Sequence, residues 1–146
     1  MLPVMLAFVG LTIDFARVFQ AWITLESATR DAAEAVATDT TVTSSSAALT
    51  LAKRTICLQA ANVPGFTRSS QPAPNDVQQC TAPQVTVRTF SVSPTATGAS
   101  NRFPLGTATI RAQLPFSPLL AYPFITNGGT WTITVESSFS ILRGRK

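Results

Sequence analysis

Two cysteines, seven carboxylates and no histidine bound the chemistry open to this 146-residue chain. Without histidine, Ser-His and Cys-His nucleophile pairs cannot be built. Five of the carboxylates, Asp14, Glu26, Asp31, Glu34 and Asp39, lie along the first 39 residues, and Asp76 and Glu136 stand apart from them. Paired acid–base catalysis would need long-range convergence of such groups. Gly128-Gly129 follows Asn127 and reads as a turn rather than a phosphate cradle. No catalytic residue, cofactor site or metal site is expected, and the chain reads as a non-enzyme.

Cys57 and Cys80 are 23 positions apart and form no C-x-x-C pair. A zinc site needs three or four suitable ligands, so this pair does not suggest one. A disulfide is the leading reading, and two buried thiols are the alternative. A disulfide would place this part of the chain in an oxidising compartment such as the periplasm or cell exterior. It would also close a long Pro-rich loop, an entropic stabilisation of roughly 3 kcal/mol.

The other pair able to interact is Asp14 with Arg17. At i and i+3 they share one helix face. They interrupt an otherwise apolar run, and ionisable groups in or near a bilayer usually face protein or water. Two roles are open: an interfacial ion pair at the end of a span, or a docking pair against another subunit's helix. Trp22 follows at the place of an interfacial aromatic.

These residues need a membrane helix to position them. Charged residues make up 12% of the chain and hydrophobic ones 45%, against about 25% charged in ordinary soluble domains. Met1 to Ile13 is almost wholly apolar, and Met1 to Trp22 as a helix measures roughly 33 Å, close to a hydrocarbon core. No basic n-region precedes the run and no small-residue cleavage site follows it, so a removed signal peptide is not expected. Apolar residues then recur at helical spacing through Phe15, Val18, Phe19, Trp22, Leu25, Ala28, Ala32 and Val36, with Glu26, Arg30 and Glu34 at i, i+4 and i+8. One helix of about 38 residues is predicted, its lower half in lipid.

Beyond a polar linker over 38–46, Ser46 is placed to cap a second helix over Ala47–Ala61, which Pro64-Gly65 stops. Cys57 falls on that helix, and Cys80 falls at the far end of a Pro/Ser/Gln/Asn-rich loop over 64–83. Three strands follow. In Gln84–Val92, Val85 and Val87 share a face that Phe90 and Val92 do not, which leaves room for a bulge or a twist near Arg88–Thr89. Thr107–Leu114 alternates strictly, with Pro115-Phe116-Ser117-Pro118 as its breaker. The last strand turns Trp131, Ile133, Val135, Phe139 and Ile141 one way and Thr130, Thr132, Thr134, Glu136, Ser138 and Ser140 the other. One apolar sheet face needs a cover, which the second helix and the upper half of the first can supply. The expected architecture is α+β: a long N-terminal transmembrane helix, residues 1–38, continuing into a small antiparallel sheet domain packed on helices, residues 39–146. No internal repeat is found.

Between the last two strands, Phe116, Leu119, Leu120, Tyr122, Phe124 and Ile125 form an apolar connector. It either caps its own core or contacts the membrane or a neighbouring subunit. The net charge of +4 comes from scattered basic residues, with one terminal cluster at Arg143, Arg145 and Lys146. That pattern does not suggest a nucleic-acid partner.

The N-terminal residues Leu2-Pro3-Val4, Gly10 and Asp14-Phe15-Ala16-Arg17, with the Ala/Arg-rich stretch Leu25–Ala33 behind them, resemble the TadE-like family of pilus-assembly pseudopilins. The resemblance covers about the first 36 residues. It implies a bitopic protein of the cytoplasmic membrane, N-terminus inside and C-terminal domain periplasmic or extracellular, serving tight-adherence pilus biogenesis. Its implied partners are the lipid bilayer and other pilus subunits. The family's peptidase site, a Gly followed shortly by Glu, would lie upstream of Leu2-Pro3-Val4. A member that is not processed leaves a rival open: a single-span structural accessory subunit of a larger respiratory or photosynthetic membrane complex.

Overall fold

The computed structural model describes residues 2–68, 80–92, 106–118 and 130–141. Helix α1 runs Leu2–Thr38 and α2 runs Ser45–Gln59, followed by a 3-10 turn, Ala60–Asn62. The strands are β1 (Thr67–Arg68), β2 (Cys80–Ala82), β3 (Gln84–Val92), β4 (Gly106–Phe116) and β5 (Trp131–Ser140). β3, β4 and β5 form an antiparallel meander in that order, and β1 pairs with β2 as a separate small ribbon. The class is α+β.

Helix α1 divides by what surrounds it. Val4 to Val9 are exposed, as are Thr12 and Ile13. From Asp14 onward one stripe turns inward, through Ala21, Leu25, Ala28, Thr29, Ala32, Ala33, Val36 and Ala37. The three- and four-residue spacing puts these on one helical face. The face is built mainly of alanine, and it belongs to the same buried core as Ala108 and Ala112 of β4, the strand α1 lies against. Leu25, Ile56, Ile110, Leu114 and Phe116, all buried, fill the volume between. Thr29 sits in this core without an unpaired hydroxyl, because its Oγ1 donates to the Leu25 carbonyl at 2.6 Å. The upper part of α1 lies against β4 and β5, while α2 packs on α1 and β3. Helix and sheet therefore share one core.

Helix α2 starts two residues earlier than the spacing of apolar residues predicts. Ser44, not Ser46, is the cap: it is extended at φ −131 and ψ 157, and its side chain accepts from the Ala47 N–H. Ser46 lies inside the helix with its hydroxyl 3.0 Å from that of Ser44. In a run of three serines, hydrogen-bonding type alone cannot choose the cap. At the other end Pro64-Gly65 does stop the helical segment. Gly65 adopts φ +93, and an added Cβ would collide with the Pro115 carbonyl oxygen. Glycine is required there on both grounds.

The irregularity expected in β3 is a bulge. Val85 faces Ala112 and Val87 faces Ile110; the register then shifts across Arg88, and Phe90 faces Ala108. The extra residue returns Phe90 to the apolar side. Strand β4 is longer than expected, because Pro115 does not end it: Pro115 pairs with Thr132 and Phe116 with Trp131. Pairing with β3 stops at Gln113, so beyond that point β4 has a paired strand on one side only, where a residue without N–H is tolerated. Cys80, expected in a loop, lies on the short strand β2 and is bonded to Cys57, with a Cα–Cα distance of 5.6 Å.

Candidate membrane and partner interface

Where α1 meets the end of the sheet, three side chains converge. Arg17 Nη1 donates to Asp14 Oδ1 at 3.3 Å, and the Arg17 guanidinium carbon stands 5.4 Å from the centroid of the Phe116 ring. The helix supplies Asp14 and Arg17 on one face because they are three residues apart. The sheet supplies Phe116 because β4 runs on past Pro115. Asp14 is 4% exposed, and the Arg17 side chain is 31% exposed. The pair therefore lies at the foot of the domain, shielded by protein on one side. A guanidinium over an aromatic face gains from the ring quadrupole and keeps its remaining N–H groups available to water or headgroups. No group of three His, Cys, Asp or Glu side chains able to hold a metal ion occurs among the described residues.

The side of α1 turned away from the domain is uncovered and largely apolar, with Gln20 exposed within it. Ile13, Phe15, Phe19, Trp22 and Ile23 are all exposed, alongside Val4, Met5, Leu6, Phe8 and Val9 nearer the N-terminus. Phe19 and Trp22 lie ring to ring at 6.2 Å. Farther along, the exposed residues become Glu26, Ser27, Arg30, Asp31 and Glu34. Glu26, Arg30 and Glu34 follow one another at four-residue spacing, but no ion pair joins them. Asp31 instead accepts from Gln59 Nε2 at 2.8 Å, tying α1 to the end of α2.

Of the residues that sequence reasoning picked out for lipid or partner contact, Trp22 is exposed as expected. Asp14 and Phe116 are turned into the protein: Phe116, 1% exposed, caps its own core, and Asp14 packs beneath the domain. Neither offers a direct surface. Leu119, Leu120, Tyr122 and Phe124 lie outside the described residues, as do the Asn127–Gly129 turn and the terminal basic cluster. Sequence reasoning missed the meeting of Arg17 with Phe116. Its one available signal was an arginine three residues after an aspartate facing the same way as the buried stripe.

The helix containing these residues has an 18-residue window long and apolar enough to cross a membrane, and only 11% of that window is buried inside the chain. A core helix of that composition would be mostly buried. This fits a single-pass membrane protein. Searches of curated proteins and of solved structures each returned no match. A comparison with protein families did return one: residues 1–34, which carry the anchor, the Asp14–Arg17 pair and the first turns of the buried stripe, match the family described as TadE-like protein.

Proposed function

We propose that this chain is a non-catalytic, bitopic component of pilus assembly, acting as a TadE-like minor pseudopilin or assembly factor. The observation that carries the proposal is the family match over residues 1–34 coinciding with an exposed apolar helix that runs without a break into a folded domain. In this reading the N-terminus is cytoplasmic, and the sheet domain lies outside the cytoplasmic membrane. The Cys57–Cys80 disulfide supports that side, since such bonds persist in oxidising compartments. Other pilus subunits are the partners, met through α1 and the outer domain.

Deletion of the gene tests this directly. Surface pili and adhesion should be lost while other membrane functions persist, and normal piliation would overturn the proposal. Gentle solubilisation followed by pull-down of the chain gives a second readout. Pilin, secretion ATPase and platform proteins are the expected companions. Respiratory, reaction-centre or antenna subunits in their place would instead mark a single-span accessory subunit.

A further inference from the structure

We propose that the outer edge of β5 accepts an extended strand of a different polypeptide, which joins the β3–β4–β5 sheet beyond β5. The direction of the free backbone groups follows from one hydrogen bond. The Ile141 N–H donates to the Gly106 carbonyl at 2.9 Å, and bonding positions in an antiparallel pair alternate. With Phe139 opposite Ala108 and Val135 opposite Ala112, the odd-numbered residues of β5 exchange their backbone bonds with β4. Thr132, Thr134, Glu136 and Ser138 then point their N–H and C=O groups outward, where no strand pairs with them among the described residues. Nothing interrupts this edge: β5 pairs with β4 without a register shift and contains no proline, lysine or arginine. Sheet edges are normally blunted by such devices, and the other edge, β3, has one in the Arg88 bulge.

The anchor argues against a second copy of this chain as the occupant. Arg17 of α1 stands over Phe116, which pairs with Trp131 at the start of β5. From that foot α1 and β5 run up the domain together. Antiparallel pairing of β5 with the β5 of a copy would turn the copy upside down, with its exposed apolar segment Val4–Val9 at the opposite end of the joined sheet; one bilayer cannot receive both. Parallel pairing of the two about a two-fold axis along the strands would set each residue and its counterpart on opposite faces of one sheet, against the pleat. Pairing β5 with the β3 of a copy meets the bulge and the exposed cation of Arg88. The guest is therefore a different chain, and β5 states its chemistry. On the α1 side, Ile133 and Val135 are buried and Trp131 and Phe139 half-buried; on the other side Glu136 is exposed, the only charge of the strand. A fitting guest strand alternates, with apolar residues toward α1 and a lysine or arginine beside Glu136. The inference rests on the single-pass reading of α1 and stands or falls independently of the role in pili.

Hydrogen exchange at the amides of Thr132, Thr134, Glu136 and Ser138 reads this edge. The full chain is deuterated in two settings, in its native membranes and, purified, in phosphatidylcholine vesicles over a range of protein-to-lipid ratios, and the fragment covering β5 is resolved by mass spectrometry. These amides should exchange fast in the vesicles at every ratio. In native membranes they should be roughly tenfold slower, the scale of a net backbone hydrogen bond, while the amides of Ile133 and Val135, bonded to β4, change little. Equal exchange in the two settings would overturn the proposal. Slowing that grows with protein density in the vesicles would overturn it in favour of a second copy. Thr134→Pro removes one outward N–H and spares the ladder with β4, whereas Thr134→Val keeps the N–H. In native membranes the proline variant should lose the slowing at Glu136 and Ser138, and the valine variant should retain it. Slowing retained in both would mean that the edge is shielded without an added strand, which also refutes the proposal. If Thr134→Pro does not fold, Glu136→Lys takes its place, setting a like charge beside the guest's cation; it should speed the same amides, and unchanged exchange would count against the proposal.

Discussion

The contact between Arg17 and Phe116 joins the anchor to the sheet at the foot of the domain. A double-mutant cycle isolates it. Arg17→Gln removes the cation and Phe116→Leu removes the aromatic face while keeping an apolar side chain. Each single change has costs of its own: Arg17→Gln removes the Arg17–Asp14 ion pair, and Phe116→Leu leaves some volume unfilled, at about 1–2 kcal/mol. Both costs recur in the double variant and cancel in the coupling term. What remains is the cation–π attraction. At 5.4 Å the geometry is within range, and the Arg17 side chain, 31% exposed, is neither fully solvated nor fully buried. Exposed pairs are worth about 0.5–1 kcal/mol and desolvated ones about 2, so the expected coupling is about 1 kcal/mol, roughly a fivefold change in the unfolding equilibrium. Denaturant unfolding in mild detergent, followed by near-ultraviolet circular dichroism, measures it. Arg17→Lys should not restore the coupling in full, because the ammonium lacks the planar face that stacks. A coupling smaller than about 0.3 kcal/mol, the usual error of additivity, would refute the reasoning and reduce Arg17 to a side chain that merely passes over the ring.

Three further outcomes are expected. Replacing both Cys57 and Cys80 by alanine, or reducing the bond, should lower the unfolding free energy by about 3 kcal/mol for a loop of this length; an unchanged denaturation midpoint would contradict a structural disulfide. Gly65→Ala should cost about 2 kcal/mol or more, from left-handed strain of about 1–2 kcal/mol together with the collision against the Pro115 carbonyl. A thermal melt indistinguishable from wild type would show that the approach of Gly65 to β4 is wrong. Ser44→Ala should cost about 1 kcal/mol, the loss of an N-cap, and Ser46→Ala only a few tenths; the reverse order of the two midpoints would restore Ser46 as the cap.

How much of this was readable beforehand depended on the range of the interactions involved. Helix α1 and the faces of β5 follow from periodicity, which is local, and both were legible to within a residue or two. An irregularity near Arg88–Thr89, a bulge or a twist, was legible too, because Val87 and Phe90 cannot share a face of a regular strand; the pairing with β4 makes it a bulge. The length of β4 was not. Proline is a strand breaker only where its missing N–H is needed, and that depends on β3 ending opposite Gln113, a fact of pairing. Ribbon β1–β2 was likewise hidden, since Thr67–Arg68 and Cys80–Ala82 have no apolar alternation to announce them. The candidate site shows the same division. The Asp14–Arg17 pair and Trp22 could be named from spacing, but the burial of Asp14 and the placing of Arg17 over Phe116 join residues a hundred positions apart that only the packing of α1 on β4 brings together.

The Arg88 bulge also bears on how such domains live side by side. If Arg88 were deleted, β3 would become a regular strand with Val85, Val87 and Phe90 still facing β4 partners Ala112, Ile110 and Ala108. The core thus does not require the extra residue. What the residue changes is the outer rim of β3, which it kinks and supplies with an exposed cation. A kinked, charged rim is a poor template for a foreign strand. Arg88 thus gives the edge of the sheet a bulge and an exposed charge and leaves the apolar face of β3 unchanged.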